Sequence, residues 1–309
     1  MAALDYKKLH KQKELMLNIS SKAGTIFWLL VIMVGFALNS IITRYLVVGD
    51  LVHPYTLTTI RFISGFLMLH IIISLAPRRF PPTGGKKKSR YIPGAILLGI
   101  YAFSISYGYS FITASAGVLV FFTFVVITMS LFSVIADKKK ITYQAIMGQL
   151  LGIMGVFLIM LSDLESVSLL GFLLMALTGV AWGTYSAKSR EFSNSFAYTY
   201  NTFLLFGVIS LLMLPLGHIF SGKSFWECFS LTTIVLMLCL GMITTALSYA
   251  LWHNIMKKIH AFQGGIAQLI VPVLTACMGI LLLGEEIDIF VISGGVSVLT
   301  GIGLNIFRI

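Results

Sequence analysis

Gly99-Ile-Tyr-Ala-Phe-Ser-Ile-Ser-Tyr107 and Gly241-Met-Ile-Thr-Thr-Ala-Leu-Ser-Tyr249 repeat one pattern. Each opens on Gly, closes on Ser-Tyr at the same spacing and lies inside a long apolar run. The two are offset by 142 residues, close to half the chain. A second offset, 146, pairs Val34 with Val180, Ser40 with Ser186, Arg44 with Arg190, Gly148 with Gly294 and Gly155 with Gly301. The chain therefore reads as a duplication.

Working outward from the repeat, ten apolar stretches fill the chain, at 25–48, 54–76, 91–113, 114–136, 143–162, 168–189, 196–220, 231–256, 261–283 and 287–306. About 20 helical residues cross the ~30 Å hydrocarbon core. The runs are uniformly apolar rather than alternating, which argues against barrel strands. Composition agrees: 58% of residues are hydrophobic and only 11% charged, with a mean hydropathy of +0.95. The expected fold is an all-α membrane protein of ten transmembrane helices in a 5+5 inverted repeat. Five is odd, so the second copy must enter the bilayer upside down. Inverted repeats are a signature of carriers that open alternately to each side. The expected organisation is a segment 1–24, a first repeat 25–162 and a second repeat 168–309.

Loop charge orients this layout. With the N-terminus inside, 19 of the 22 basic residues fall on the cytoplasmic side. They include Lys7, Lys8, Arg78, Arg79, Lys138, Lys188, Arg190, Lys257, Lys258 and Arg308. Asp50, Asp163, Glu165, Glu227, Glu285, Glu286 and Asp288 collect opposite. Adding or removing one span would scramble the alternation, so both termini are expected in the cytoplasm. The net charge of +11 follows from the same bias, and with no basic groove or soluble domain to carry it, nucleic acid is not an expected partner. The basic N-terminus and the long first span lack a cleavable signal pattern, and that span reads as the first membrane helix. Cys228, Cys239 and Cys277 have neither metal nor disulfide spacing.

No catalytic motif is present, and no Asp or Glu sits in the middle of a span. A mechanism through a buried acid is thereby disfavoured, leaving Tyr and His as proton relays. Arg61 is the sharpest residue, about 5 Å from its span's midpoint at 1.5 Å per residue. A charge there costs on the order of 3 kcal/mol unless it meets partners or water. Two readings stand: it attracts an anionic group in a cavity, or it caps carbonyls of a broken neighbour. Asn39, Tyr107, Trp182, Tyr185, Tyr249, His253 and Gln268 are the further candidates for substrate binding, against the alternative of helix–helix hydrogen bonding. Trp252 and Phe121-Phe122-Thr123-Phe124 read as lipid-facing or packing residues. Arg44, near the outer end of its helix, is expected to snorkel. Pro272 breaks a backbone bond mid-span and is the candidate gating hinge. Gly148, Gly152, Gly155, Gly294, Gly295 and Gly301 allow close helix approach.

The chain resembles the EamA-type branch of the drug/metabolite transporter superfamily. The likeness spans the ten-helix layout, Pro54 with Arg61-Phe62, Trp182-Gly183, Thr244-Thr-Ala-Leu-Ser-Tyr-Ala-Leu-Trp252, Pro272 and Gly284-Glu285. It implies a central cavity lined by the first four helices of each half, with the fifth and tenth peripheral. It also implies a secondary transporter of the inner (plasma) membrane, with no cofactor, metal or catalysis. The expected cargo is an amino acid or related anionic or zwitterionic solute. The alternative is exchange of a nucleotide-type metabolite such as S-adenosylmethionine or a nucleotide sugar; a channel, scramblase or intramembrane enzyme ranks behind both. Expected partners are the small-molecule substrate, the lipid bilayer and, as a candidate, a second copy in a homodimer. The first half departs from the family pattern. Val126 stands where Pro272 would map and Lys139-Lys140 where an acid often follows, so the fourth helix should bend less than the ninth.

Overall fold

The computed structural model describes residues 22–48, 51–77, 88–112, 114–136, 138, 142–161, 168–221, 230–283 and 289–306. Most of segment 1–24, Lys139-Lys140, Gly284-Glu285 and most of the charged loop residues lie outside them. The order is α1 Lys22–Val48, α2 Pro54–Leu75, a 3-10 turn Lys88–Tyr91, α3 Ile92–Gly108, α4 Ala114–Ile135 and α5 Tyr143–Leu161. There follow α6 Leu169–Lys188, a 3-10 turn Ser189–Glu191, α7 Ser195–Ser221 and α8 Leu231–Leu238. A π-helical segment Cys239–Leu247, α9 Ser248–Met256, α10 Ala261–Gln268, α11 Ile270–Leu283 and α12 Ile289–Ile306 complete it. No strand occurs among the described residues.

Local chemistry sets these boundaries. The Ser168 and Ser230 hydroxyls accept from the backbone N–H groups of Gly171 and Thr233 and start α6 and α8. Pro54 opens α2, where its missing N–H costs nothing. His260 and Gln263 close a reciprocal capping box on α10. α8, the π segment and α9 run on as one 26-residue span, Leu231–Met256. The ninth stretch breaks at Leu269, between α10 and α11, one turn before Pro272. Proline lacks the N–H that would bond the Gln268 carbonyl, and its ring crowds that carbonyl. Val126 imposes no such break, and α4 is continuous.

Among the described residues, eight helical segments are long and apolar enough to cross a bilayer; Tyr143–Leu158 of α5 and Ile292–Leu304 of α12 are shorter apolar helices. α5 packs chiefly on α12, away from the centre. α2 meets α7 and the π segment, α3 meets α6 and α7, α4 meets α6 and α10, and α1 meets α9, α11 and the π segment.

Close glycine contacts carry the repeat into three dimensions. A Cβ at Gly155 would collide with the Gly294 carbonyl and, at 2.7 Å, the Val298 nitrogen. A Cβ at Gly301 would collide with the Gly148 carbonyl and, at 2.7 Å, the Gly152 nitrogen. Shifting either set by 146 returns the other. At offset 142, Gly241 against Ser64 mirrors Gly99 against Phe206. Interchanging the halves therefore reproduces these contacts, as a two-fold relation requires. Helix ends expected on the same side also meet. The Ser168 hydroxyl donates to the Phe111 carbonyl at 2.9 Å, Tyr91 stacks on Phe192 with centroids 5.1 Å apart, and the Lys257 ammonium donates to the Ser193 carbonyl.

Candidate functional site

Arg61 lies on α2 and is 1% exposed. Its Nε–H donates to Thr245 Oγ1 at 2.8 Å, and its Nη2 donates to Tyr101 OH and Tyr249 OH, each at 2.9 Å. Every acceptor is a neutral hydroxyl. Among the described residues no carboxylate pairs with Arg61. Bonds from a charged donor each contribute on the order of 1.5–3 kcal/mol. Three of them can offset a transfer cost of similar size. Gly241 makes the approach possible: a Cβ there would strike the Arg61 carbonyl and the Ser64 hydroxyl. Asn39 of α1 completes the shell, its Nδ2 donating to Thr244 Oγ1 at 3.1 Å and Thr245 Oγ1 at 2.9 Å.

The hydroxyl protons do not balance. Tyr249 OH donates to Tyr101 OH at 2.7 Å. Two phenols carry two hydrogens and share one mutual bond. One phenolic hydrogen is therefore left without an acceptor among the described residues, and Arg61 supplies only donors. The cluster is rich in donors, as an oxyanion requires.

Beside it lies a cavity of about 10 Å³, bordered by Phe36, Asn39, Tyr101, Phe121, Trp182 and Tyr249 among others. That holds roughly one water, far below the several hundred Å³ of a metabolite pocket. Tyr101 and Tyr249 stand between this space and the guanidinium. Trp182 packs on Tyr249 with centroids 4.4 Å apart and meets Phe36 edge-on at 5.5 Å. Its Nε1–H donates to Gln268 Oε1 at 2.7 Å, tying the α6 wall to the end of α10. The described conformation is thus closed around a small, mostly aromatic centre.

Of the residues singled out in sequence, Asn39, Arg61, Trp182 and Tyr249 come together, and Gln268 joins through Trp182. Tyr185 and His253 sit one layer behind Trp182 and do not border the cavity. The Tyr185 hydroxyl bonds Thr202 Oγ1 at 2.7 Å, and His253 Nδ1 bonds Thr199 Oγ1 at 2.8 Å. Tyr107 lies elsewhere, half-buried against Tyr55 and His53 at the start of α2. Pro272 is buried on α11, past the break. Arg44 is partly exposed near the end of α1. Trp252 is fully buried and donates to Ser186 Oγ at 3.0 Å, which decides for packing over lipid contact. Phe121 and Phe122, also read as lipid-facing or packing, border the cavity. Sequence reasoning passed over Tyr101, Thr244 and Thr245. Arg61 and Tyr101 each stand seven residues from the same-side ends of their antiparallel helices, a matching of depth that would have found Tyr101. Among the described residues no three His, Cys, Asp or Glu side chains gather as a metal site.

Fold and site together define a multi-pass helical membrane protein built around a buried cation. The EamA-like transporter family model matches it twice, over residues 23–161 and 169–307, and the chain belongs to that family. Relatives include an uncharacterized protein of Pseudomonas aeruginosa, 32% identical over 88% of this chain and 91% of its own. An uncharacterized transporter of Bacillus subtilis is 25% identical, covering 82% and 87% of the two chains. A Salmonella typhimurium protein named a probable amino-acid metabolite efflux pump is 24% identical over 70% of this chain and 78% of its own. A crystal structure covering 90% of this chain and 96% of its own superposes with a TM-score of 0.72 at 18% identity; it shares the fold.

Proposed function

We propose that the chain is a secondary transporter that moves a small anionic or zwitterionic metabolite, an amino acid or a relative of one, by alternating access. The carrying observation is Arg61, held at the centre by neutral hydroxyls with one phenolic hydrogen left over. A carboxylate entering from the cavity side would replace the phenol oxygens as the guanidinium's acceptor and take that hydrogen. Asn39 Oδ1 and the rings of Phe36, Trp182 and Tyr249 would face an ammonium group. All ten apolar stretches, α5 and α12 included, then cross the membrane as inverted halves 25–162 and 168–309, with segment 1–24 and both termini in the cytoplasm. The reciprocal glycine contacts and the meeting of like ends support this layout. The closed centre favours a carrier over an open channel, and the transporter relatives favour transport over catalysis. The name of the Salmonella relative supports amino-acid cargo.

The test is counterflow in proteoliposomes, with unlabelled solute inside and trace label outside. The solutes are a mixture of the twenty amino acids, S-adenosylmethionine and uridine diphosphate glucose, each assayed separately. Wild-type protein should exchange the amino-acid label. Arg61→Ala should lower the rate at least 100-fold while eluting as a folded species. Wild-type rates from Arg61→Ala would remove Arg61 from the mechanism; exchange of only the nucleotide-type solutes would replace the cargo.

A further inference from the structure

His253 lies on α9, fully buried, one turn beyond Tyr249. Its tautomer is assigned from its contacts. Thr199 Oγ1 carries a single hydrogen and donates it to the Ser195 carbonyl at 3.0 Å. With that hydrogen on the carbonyl, the oxygen accepts from His253 Nδ1, 2.8 Å away. Nδ1 carries the ring proton, and Nε2 is the basic nitrogen with its lone pair. Nε2 is buried and has no hydrogen-bond partner among the described residues. Buried imidazole nitrogens are normally satisfied, and a bare one is a vacant proton acceptor.

The surroundings keep it vacant here. Trp182, Tyr185 and Tyr198 pack their rings on His253, with centroids 6.4, 4.9 and 5.3 Å away. The ionisable groups of the neighbouring elements are few. α6 brings Tyr185 and Lys188, the following 3-10 turn brings Arg190 and Glu191, and α7 brings Tyr198. α9 itself carries Tyr249, and Lys257 follows its end, its ammonium held below the ordinary lysine value by desolvation. α1 carries Arg44 and Tyr45 near its far end, and the π segment holds Cys239. The one carboxylate in this set, Glu191, is paired with Lys188 at 3.8 Å. Among the described residues His253 thus has no counter-ion, and its aromatic shell excludes water. A proton can reach Nε2 only when this shell opens.

The site is mechanically joined to the Arg61 cluster. Tyr249 stands four residues away, about 6 Å along the helix, and bonds Arg61 directly. Trp182 touches both Tyr249 and His253. Arg61 is a cation, so a second cation at His253 is repelled until an anion neutralises the first. Anion and proton therefore bind cooperatively, and each raises the affinity for the other by the same factor.

We infer that His253 is the proton-coupling site, and that the chain co-transports one proton with its anionic or zwitterionic solute in the same direction. This rests on the transporter reading above. On the side open to water, hydronium passes its proton to the Nε2 lone pair and leaves as water. On the opposite side the imidazolium returns the proton to water once the anion has left Arg61.

Two assays on the same proteoliposomes decide it, both with the labelled mixture of twenty amino acids. The first is counterflow at equal pH; the second is net accumulation into vesicles made acid outside. Wild-type protein should perform both. His253→Gln, polar but unable to ionise, should lose acid-driven accumulation at least tenfold more than it loses counterflow. Thr199→Val, which leaves His253 in place but strips its Nδ1 partner, should shift the pH midpoint of accumulation. Undiminished acid-driven accumulation by His253→Gln overturns the inference. So does a wild type that accumulates only with the acid inside, or, should His253→Gln not fold, an unshifted midpoint in Thr199→Val. A wild type without counterflow of any tested solute overturns the transporter reading first and this inference with it.

Discussion

Arg61 is a residue chosen against stability. It occupies a fully buried position with three hydrogen bonds and no opposite charge among the described residues. Replacing buried ionic groups by apolar side chains of similar volume is often neutral or stabilising by 1–4 kcal/mol. The hydroxyls left behind can still bond one another, since Tyr249 already donates to Tyr101. Arg61→Met should therefore unfold at the same temperature or higher, by up to about 2 kcal/mol, while exchanging no solute. Thermal unfolding of the detergent-solubilised variant beside its counterflow rate reads both. A markedly lower midpoint would make Arg61 a structural brace. At this scale the sequence disclosed the charge and its depth. It concealed the partners, because Thr, Tyr and Asn are common in spans and only the fold decides which face each shares. Tyr107 is a candidate in sequence as a polar aromatic residue within a span. Yet it lies six residues from Tyr101, well round the helix, and faces His53 and Tyr55 instead.

At the scale of elements, the two halves differ where the site is made. The third helix of the first half, α3, is a plain α-helix, whereas its counterpart is interrupted by the π segment Cys239–Leu247. That segment carries Thr244 and Thr245. π geometry is costly and recurs at functional sites; here it presents two adjacent hydroxyls to Asn39 and one of them to Arg61. The ninth stretch is broken before Pro272 while α4 runs through. Proline announces such a break in sequence, because it removes a specific backbone bond. No residue type announces a π segment, which is why the break was legible and the π segment was not. If the break is a working hinge, Pro272→Ala should restore the bond to the Gln268 carbonyl and join α10 to α11. The expected outcome is a thermal midpoint raised by the equivalent of about 1 kcal/mol, with counterflow slowed at least fivefold. Unchanged counterflow would confine Pro272 to shaping the static fold.

For the whole molecule, the decisive evidence in sequence was the alternation of charge, because it concerns every span at once. The structure adds contacts that respect it. Residues assigned to one side meet one another: Ser168 with Phe111, Tyr91 with Phe192, Lys257 with Ser193. α5 and α12 decide the count. Their apolar stretches are the short ones, and they touch through glycine backbones, which brings two helices close enough to span as a pair. Were α5 to lie on the surface instead, every segment between it and α12 would change sides. Single cysteines in a background with Cys228, Cys239 and Cys277 replaced distinguish these arrangements. Cysteines at Ser110 and Ser168 should react with a membrane-impermeant maleimide added to intact cells, and those at Asn194 and Lys258 only after permeabilisation. Ser110 precedes α5 and Ser168 follows it. Labelling of both from outside requires an even number of crossings between them, so with α4 crossing, α5 crosses as well. Protection of Ser168 with labelling of Asn194 would mean that α5 does not cross, and the halves would then be parallel rather than inverted. Alternating access about a two-fold axis in the membrane plane needs the inverted arrangement, so this one pattern bears on the mechanism as much as on the topology.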